Sequence, residues 1–116
     1  MGKMNVLVVE DHNDTRTMLS RLLAHCGHEP ISASNVTEAL ELLMQREVDV
    51  LLSDLSLPDG DGLDLVVKAK ALRPQLRTIA LTGRDSADDR RLSGQAGFDH
   101  YLTKPFDFHK LRVILS

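Results

Sequence analysis

Four aspartates, Asp54, Asp59, Asp61 and Asp64, fall within the stretch VDVLLSDLSLPDGDGLDL at 48–65. Carboxylates this dense either do chemistry or punctuate a turn. A calcium loop needs a glycine sixth in a twelve-residue loop that an aspartate opens. Counting excludes it: openings at Asp54 and Asp59 place Asp59 and Asp64 sixth, while Gly60 and Gly62 would require openings at Leu55 and Leu57. Pro58 to Gly62 reads as turn chemistry, with Asp61 or Gly62 near a helix start, Asp64 in its first turn, and the loop acids solvated. Asp54 differs, because it follows directly on an apolar run.

Other polar residues share that placement. Glu10 and Asp11 follow MNVLVV (4–9), Thr82 and Gly83 close RTIALT (77–82), and Thr103, Lys104 and Pro105 follow DHYL (99–102). If these run ends meet, Glu10, Asp11 and Asp54 cannot share a small site as three bare anions, since repulsion and desolvation would push at least one pKa sharply up. A cation must join them. An all-oxygen set selects a hard divalent ion, and few protein ligands with room for water and phosphate oxygens suit Mg²⁺. Lys104 adds a flexible positive charge, Thr82 a hydroxyl, and Gly83 leaves room for a tetrahedral anion. Such a site would bind a phosphoryl group on Asp54.

The elements that must position these residues are legible in the patterning. The runs at 4–9, 48–53 and 77–82 are short and lack polar alternation, as expected of strands buried on both faces of a parallel sheet. A weaker strand is expected near 29–33 and a last one at 99–102. Between them lie helical patterns. Met18, Leu19, Leu22, Leu23 and Cys26 form a stripe ended by Gly27. Asn35 with Glu38 resembles a capping box before Val36, Ala39, Leu40 and Leu43. Leu63, Val66, Val67, Lys70 and Leu72 suggest a third helix, stopped by Pro74. A fourth, about 86–96, starts with Ser86, Asp88 and Asp89 and has only Leu92 and Ala96 as substantial apolar contributions, with Gly94 weakening it, so loose attachment is expected. A fifth starts near Asp107, with Phe108, Leu111 and Leu115 inward. Five strand–helix alternations predict an α/β doubly wound sheet. In order 2-1-3-4-5, strands one and three flank the switch point, where the crevice beyond the strands' carboxyl ends would gather the three acids.

The totals set bounds. A chain of 116 residues is expected to form one domain, 1–116. One cysteine excludes an internal disulfide, and no run has the length of a membrane span or the flanks of a signal peptide, so a cytoplasmic location without membrane contact is expected. The net charge of -3 and four aromatics, Phe98, Tyr101, Phe106 and Phe108, supply neither a basic patch nor a stacking platform, which argues against direct nucleic-acid binding. His25, Cys26 and His28 could suggest zinc, but a tetrahedral site wants four ligands and no second cluster exists, so they read as a helix end. His12 beside the acid pair could touch a metal, although Mg²⁺ disfavours imidazole.

Taken in order, the acidic pair ED at 10–11, D-x-x-x-P-x-x-x-G from Asp54 to Gly62, LTG at 81–83 and LTKPF at 102–106 resemble a response-regulator receiver domain of two-component signalling, over nearly the whole length. The resemblance implies a flavodoxin-like fold with helices on both faces. It makes Asp54 the phosphoacceptor, Asp11 and Asp54 direct Mg²⁺ ligands, Glu10 a ligand acting mainly through water, and Ser56 a ligand through its backbone carbonyl. Thr82 becomes the hydroxyl that grips the phosphoryl oxygen, Lys104 its charge partner, and Tyr101 the aromatic whose rotamer reports phosphorylation, although mere packing would also explain an aromatic there. A cis Lys104–Pro105 bond is implied as well. The donor would be a phosphohistidine of a histidine kinase or histidine phosphotransfer domain, and the surface of the fourth helix and fifth strand would switch. A weak dimer stays open. Leu57 stands where many members have methionine, and the last helix is short, so a larger parent protein is expected; the motifs resemble receivers of hybrid sensor histidine kinases. Such a module modifies itself, and is a switch more than an enzyme.

Two rivals remain. Aspartyl-phosphate hydrolases also place an aspartate after a parallel strand, but carry a second, as general acid, two residues on, where this chain has Ser56. A phosphorylation-independent interaction module would not need Glu10, Asp11, Asp54, Thr82 and Lys104 together.

Overall fold

The computed structural model describes residues 2–83, 87–105 and 107–116 and, between 87 and 96, the side chains of 91, 92 and 94–96 only. The expected helix start at Ser86, the side chains of Asp88 and Asp89, and Phe106 lie outside the described residues. In chain order the elements are β1 (Asn5–Val9), α1 (Asn13–His25), β2 (Glu29–Ala33), α2 (Val36–Gln45), β3 (Val50–Asp54), a short ribbon of β4 (Ser56–Leu57) and β5 (Gly60–Asp61), α3 (Gly62–Leu72), β6 (Arg77–Thr82), α4 (Ala87–Ala96), β7 (His100–Thr103) and α5 (Phe108–Leu115).

Five strands pair in parallel in the order β2-β1-β3-β6-β7, and β4 pairs with β5 antiparallel. Counting sheet strands alone, this is 2-1-3-4-5. The apolar runs lack alternation because both faces are covered. Leu7, Val9, Ile31, Ala33 and Leu51 pack on one face with Ala39 and Leu43 of α2 and Leu65 and Ala69 of α3. Val6, Val8, Val50, Leu52, Ile79, Leu81 and Leu102 face the other way, against Leu19 and Leu23 of α1 and Leu111 and Leu115 of α5. Each fully buried leucine contributes about 2 kcal/mol, so these two layers hold the sheet.

The helix ends follow the local sequence. Gly27 takes φ +89, its N–H reaches Ala24 O and that of His28 reaches Leu23 O, which closes α1 with a left-handed glycine and occupies His25, Cys26 and His28 as a helix end. Asn35 accepts from Glu38 N at 2.8 Å, while the Glu38 carboxylate reaches back to Ser34 N at 2.9 Å, one residue earlier than a standard capping box. Arg73, the C-cap of α3, donates to Leu43 O and Arg46 O and so satisfies the far end of α2.

Two faces differ from expectation. In α3 the inward side is Gly62, Leu65, Val66 and Ala69, while Val67 is 55% exposed and Leu72 46%. Leu63 and Val66 were assigned a stripe with Val67, but the helix begins at Gly62, pressed against the end of β3, and this rotates the buried face toward Leu65 and Ala69. In α4, Leu92 is 43% exposed and only half-buried Ala96 packs against the cluster of Leu55, Val66, Ala80 and Phe98. Among its described side chains, α4 is held even more lightly than its composition implies.

The edge of the sheet is tied by Asp99. Its Oδ2 accepts from Thr78 N (2.9 Å) and Thr78 Oγ1 (3.1 Å), and Lys70 Nζ lies 3.0 Å away. Partial burial alone would push this carboxyl up, but the Thr78 donors and Lys70 outweigh it and hold the pKa below the ordinary value. A depressed folded pKa stabilises above the ordinary carboxylate range, and the gain is lost as pH falls through the lowered value. Asp99→Ala is expected to cost about 1 kcal/mol at neutral pH by leaving Thr78 N–H unpaired. In urea titrations the difference from wild type shrinks as pH drops below about 4. A constant difference down to acid pH would assign the loss to packing.

Candidate functional site

The sheet's register assembles the site. Val9 pairs with Ser53, so Glu10 and Asp54 stand level at the carboxyl ends of neighbouring strands. Period-two alternation carries both toward the α1–α5 face, in line with Val6 and Val8 and with Val50 and Leu52. Lys104 continues the same parity beyond Leu102, and Thr82 pairs with Thr103. Because the chain runs from β1 outward to β2 and returns to β3 on the other side, this is the switch point of the sheet.

The described residues contain one cluster of carboxylates with metal-like spacing: one oxygen each of Glu10, Asp11 and Asp54, all within 4.8 Å of one another. Glu10 is 1% exposed, Asp54 is buried and Asp11 is open to solvent. Lys104 Nζ bridges the buried pair, 2.7 Å from Glu10 Oε1 and 2.8 Å from Asp54 Oδ2. The remaining oxygens face backbone donors: His12 N to Glu10 Oε2 at 3.2 Å and Ser56 N to Asp54 Oδ1 at 3.1 Å. Arg16 holds the Glu10 carbonyl with Nη1 at 2.7 Å and binds Asn13 through Nη2.

Burial pushes the Glu10 carboxyl above its ordinary value, and neighbouring Asp54 adds to this, although Lys104 and His12 N–H oppose it. Burial would lower the Lys104 pKa, but the hydrogen bonds and charges of Asp54 and Glu10 overcome it and raise the ammonium's pKa. The site therefore carries more negative charge than one lysine offsets. Its donors are all oxygen, with one side open at Asp11, and this set fits a hard divalent cation.

The other predicted residues lie around this cluster. Thr82 is almost fully buried at the end of β6, and its carbonyl accepts from Lys104 N at 2.7 Å, which locks the two strand ends together. Tyr101 is half-buried and packs beside Leu55, Val66 and Ala80. Ser56 enters through its backbone, as the first residue of the ribbon. The Lys104–Pro105 bond is cis, as the resemblance implied. His12 stands at the N-cap position of α1 without a side-chain capping bond, and its Nδ1 lies 3.2 Å from Thr15 Oγ1. Asp61 is the N-cap of α3, accepting from Leu63 N at 2.9 Å, as a turn acid should.

Sequence reasoning missed two roles. Asp59 was grouped with solvated turn acids, yet its carboxylate binds the first turn of α2, through Val36 N at 2.7 Å, Thr37 N at 3.0 Å and Thr37 Oγ1 at 2.8 Å. The signal was a partner more than twenty residues away, which spacing does not reveal. Gly62 was credited with turn formation, but a Cβ there would stand 2.4 Å from Asp54 O and 2.9 Å from Leu55 Cα. It is glycine because the backbone of Asp54 passes against it. A groove between the C-terminal end of α1 and α5 lies elsewhere and contains none of these acids.

Known proteins show the same arrangement of chain. The model of the response regulator receiver domain matches residues 6–116. The chain belongs to this family. It is 37% identical over 116 residues to the response regulator protein PilR of Pseudomonas aeruginosa, covering all of this chain and 26% of that protein. A CheY-like receiver from Methanospirillum hungatei superposes with TM-score 0.92 at 29% identity, covering 98% of this chain and 91% of the other. A response regulator from Burkholderia pseudomallei, solved with a phosphorylated aspartic acid, a calcium ion and citrate, superposes at 0.91 with 30% identity, covering 98% and 67%. This receiver thus spans about a quarter of PilR's length. Among the described residues no helix is long and apolar enough to cross a membrane.

The close approach at Gly62 is testable. Gly62→Ala forces a methyl group against the backbone of Asp54 and Leu55 at the receiver's acidic site and is expected to cost about 2–3 kcal/mol. It should also shift the amide resonances of Asp54 and Leu55. Denaturant titration with NMR checks both, and a neutral substitution would mean the ribbon yields freely.

Proposed function

We propose that this receiver accepts a phosphoryl group on Asp54 from a phosphohistidine of a histidine kinase or phosphotransfer domain, with Mg²⁺ held by Glu10, Asp11, Asp54 and the Ser56 carbonyl. The observation that carries the reading is Asp54 itself. It is the last residue of the middle strand, with Oδ2 against Lys104 and Oδ1 against a backbone N–H, beside two further carboxylates. When bound, Mg²⁺ supplies positive charge for the phosphoryl oxygens and the attacking carboxylate. Lys104 adds a second positive charge for the equatorial oxygens, and positioning plus electrostatics is most of what phosphoryl transfer requires. In the transfer, an Asp54 oxygen forms the new P–O bond while the P–N bond to the donor imidazole breaks and the imidazole leaves. Lys104 and the Ser56 N–H each hold one oxygen of Asp54 and so fix the orientation of its carboxylate. The Burkholderia relative with its phosphorylated aspartic acid supports the same chemistry on this fold.

Phosphorylation gives the Thr82 hydroxyl a new acceptor, and the space it vacates lets Tyr101 move inward. The lightly held α4 then has two positions separated by a gap that one set of charge-assisted hydrogen bonds can tip. We place this module, residues 1–116, in a longer cytoplasmic regulator, since it matches about a quarter of a relative such as PilR. The absence of a carboxylic acid at Ser56 argues against a hydrolase.

Asp54→Asn is expected to abolish labelling by a small phosphodonor in Mg²⁺, because an amide does not attack phosphorus. Undiminished label mapped by mass spectrometry to another aspartate would overturn the assignment. Asp11→Ala should weaken Mg²⁺ binding far more than Asp61→Ala, read by calorimetry; equal losses would make the turn acids ligands.

Beryllofluoride should shift amides of α4 and β7 strongly and those of α2 hardly at all. Thr82→Ala should keep the phosphorylation but lose that response. Shifts confined to the neighbourhood of Asp54 would show that α4 and β7 are not the output surface.

A further inference from the structure

We propose that Asp59 is a positioning residue for the phosphoryl and metal site: by fastening the β4–β5 ribbon to the first turn of α2, it fixes Ser56 and with it the orientation of Asp54. This rests on the proposed function, since it concerns the same site. The ribbon is too short to hold its own shape. It has two residue pairs, Ser56 with Asp61 and Leu57 with Gly60, closed at its base by Gly62 N to Leu55 O at 2.9 Å. Its base carries the functional contact, Ser56 N to Asp54 Oδ1.

Its far end is free of the sheet and is held from the side. Leu57 packs against the core that α2 covers, and a Cβ at Gly60 would lie 3.2 Å from Val36 Cγ2. Among the described residues, the only polar ties between the tip and α2 are the three from Asp59, which use both carboxylate oxygens. These N–H bonds lower the Asp59 pKa, so the carboxylate stays ionised through the physiological range.

Helix capping alone would also explain these bonds. The first three N–H groups of α2, however, are divided between two residues. Val36 and Thr37 are taken by Asp59, and Glu38 is taken by Asn35. Both residues cap the helix, but only Asp59 belongs to the ribbon. Losing Asn35 weakens α2 and leaves the ribbon's tie intact; losing Asp59 weakens α2 and releases the ribbon. The two substitutions therefore separate a stability role from a positioning role.

The test measures, in the full chain, the Mg²⁺ dissociation constant by calorimetry and the rate of labelling by acetyl phosphate as a function of Mg²⁺. Asp59→Ala is expected to raise the Mg²⁺ dissociation constant about three- to tenfold, at the low end of effects from residues that orient ligands. The labelling rate at saturating Mg²⁺ should stay within about twofold, because the bound cation then holds the ribbon from its other side. Asp59→Asn keeps one side-chain oxygen and should recover part of the affinity; it carries the test if Asp59→Ala does not fold. Asn35→Ala should leave the Mg²⁺ constant unchanged while lowering the urea midpoint. An unchanged constant in both Asp59 variants, or an equal rise in Asn35→Ala, overturns the positioning role. A wild-type chain that neither binds Mg²⁺ nor labels on Asp54 overturns the proposed function and this inference with it, whereas a normal wild type with insensitive Asp59 variants overturns this inference alone.

Discussion

Two carboxylates lie side by side in the interior because Glu10 and Asp54 end adjacent strands at the same level. The sheet's register leaves them nowhere else to go. Such a pair is tolerable only with positive charge between them, and Lys104 provides it from the end of a third strand. Much of the local structure serves that bridge. Lys104 N is bonded to Thr82 O, Arg16 grips the Glu10 carbonyl, and His12 and Ser56 donate backbone N–H groups to the oxygens that Lys104 does not reach. A site that keeps surplus negative charge in a partly dry setting is prepared for a cation, and its chemistry follows from that imbalance.

The sheet and the acid cluster were legible because both depend on short-range information. Unalternating runs identify strands covered on both faces, and the residues immediately after such runs must lie at the carboxyl edge. Glu10, Asp11, Asp54, Thr82 and Lys104 were found that way, and their spacing through the chain matched a known family. The buried face of α3 was not legible, because Leu63, Val66 and Val67 are apolar whichever way the helix turns. Its rotation is fixed by Gly62 against Asp54, a contact between backbones that no side-chain pattern encodes. Leu92 was misplaced for a related reason. An apolar residue on a weakly amphipathic helix need not point inward, and of the expected pair only Ala96, half-buried, meets the core. Asp59 escaped notice because an aspartate in a Pro–Gly turn has a sufficient local explanation, whereas its partners lie on another helix.

Sequence distance and function are related here in an instructive way. The groups around Asp54 come from the strand ends at Glu10 and Lys104, about 40 to 50 residues away on either side, and from the adjacent ribbon. Strand pairing brings the strand-end groups together although they are far apart in sequence, and only Ser56 is a near neighbour of Asp54. Apart from Arg16 of α1 on the Glu10 carbonyl, the helices contribute little directly to the site. They cover the faces, and their ends set how far the connecting loops can wander.

The fastening of α2 has a mechanical consequence. Asp59, just before α3, holds one end of α2, and Arg73, just after α3, holds the other through Leu43 O and Arg46 O. A rod tied at one end to the ribbon that leads into α3 and at the other to the residue that ends α3 cannot pivot freely, so α2, the ribbon and α3 behave as one splinted block. Beside α3, α4 brings to the core, among its described side chains, little more than the half-buried Ala96. A signalling module needs such unequal stiffness: a displacement on the soft side has meaning to a partner only when another part of the surface stays put as its frame of reference.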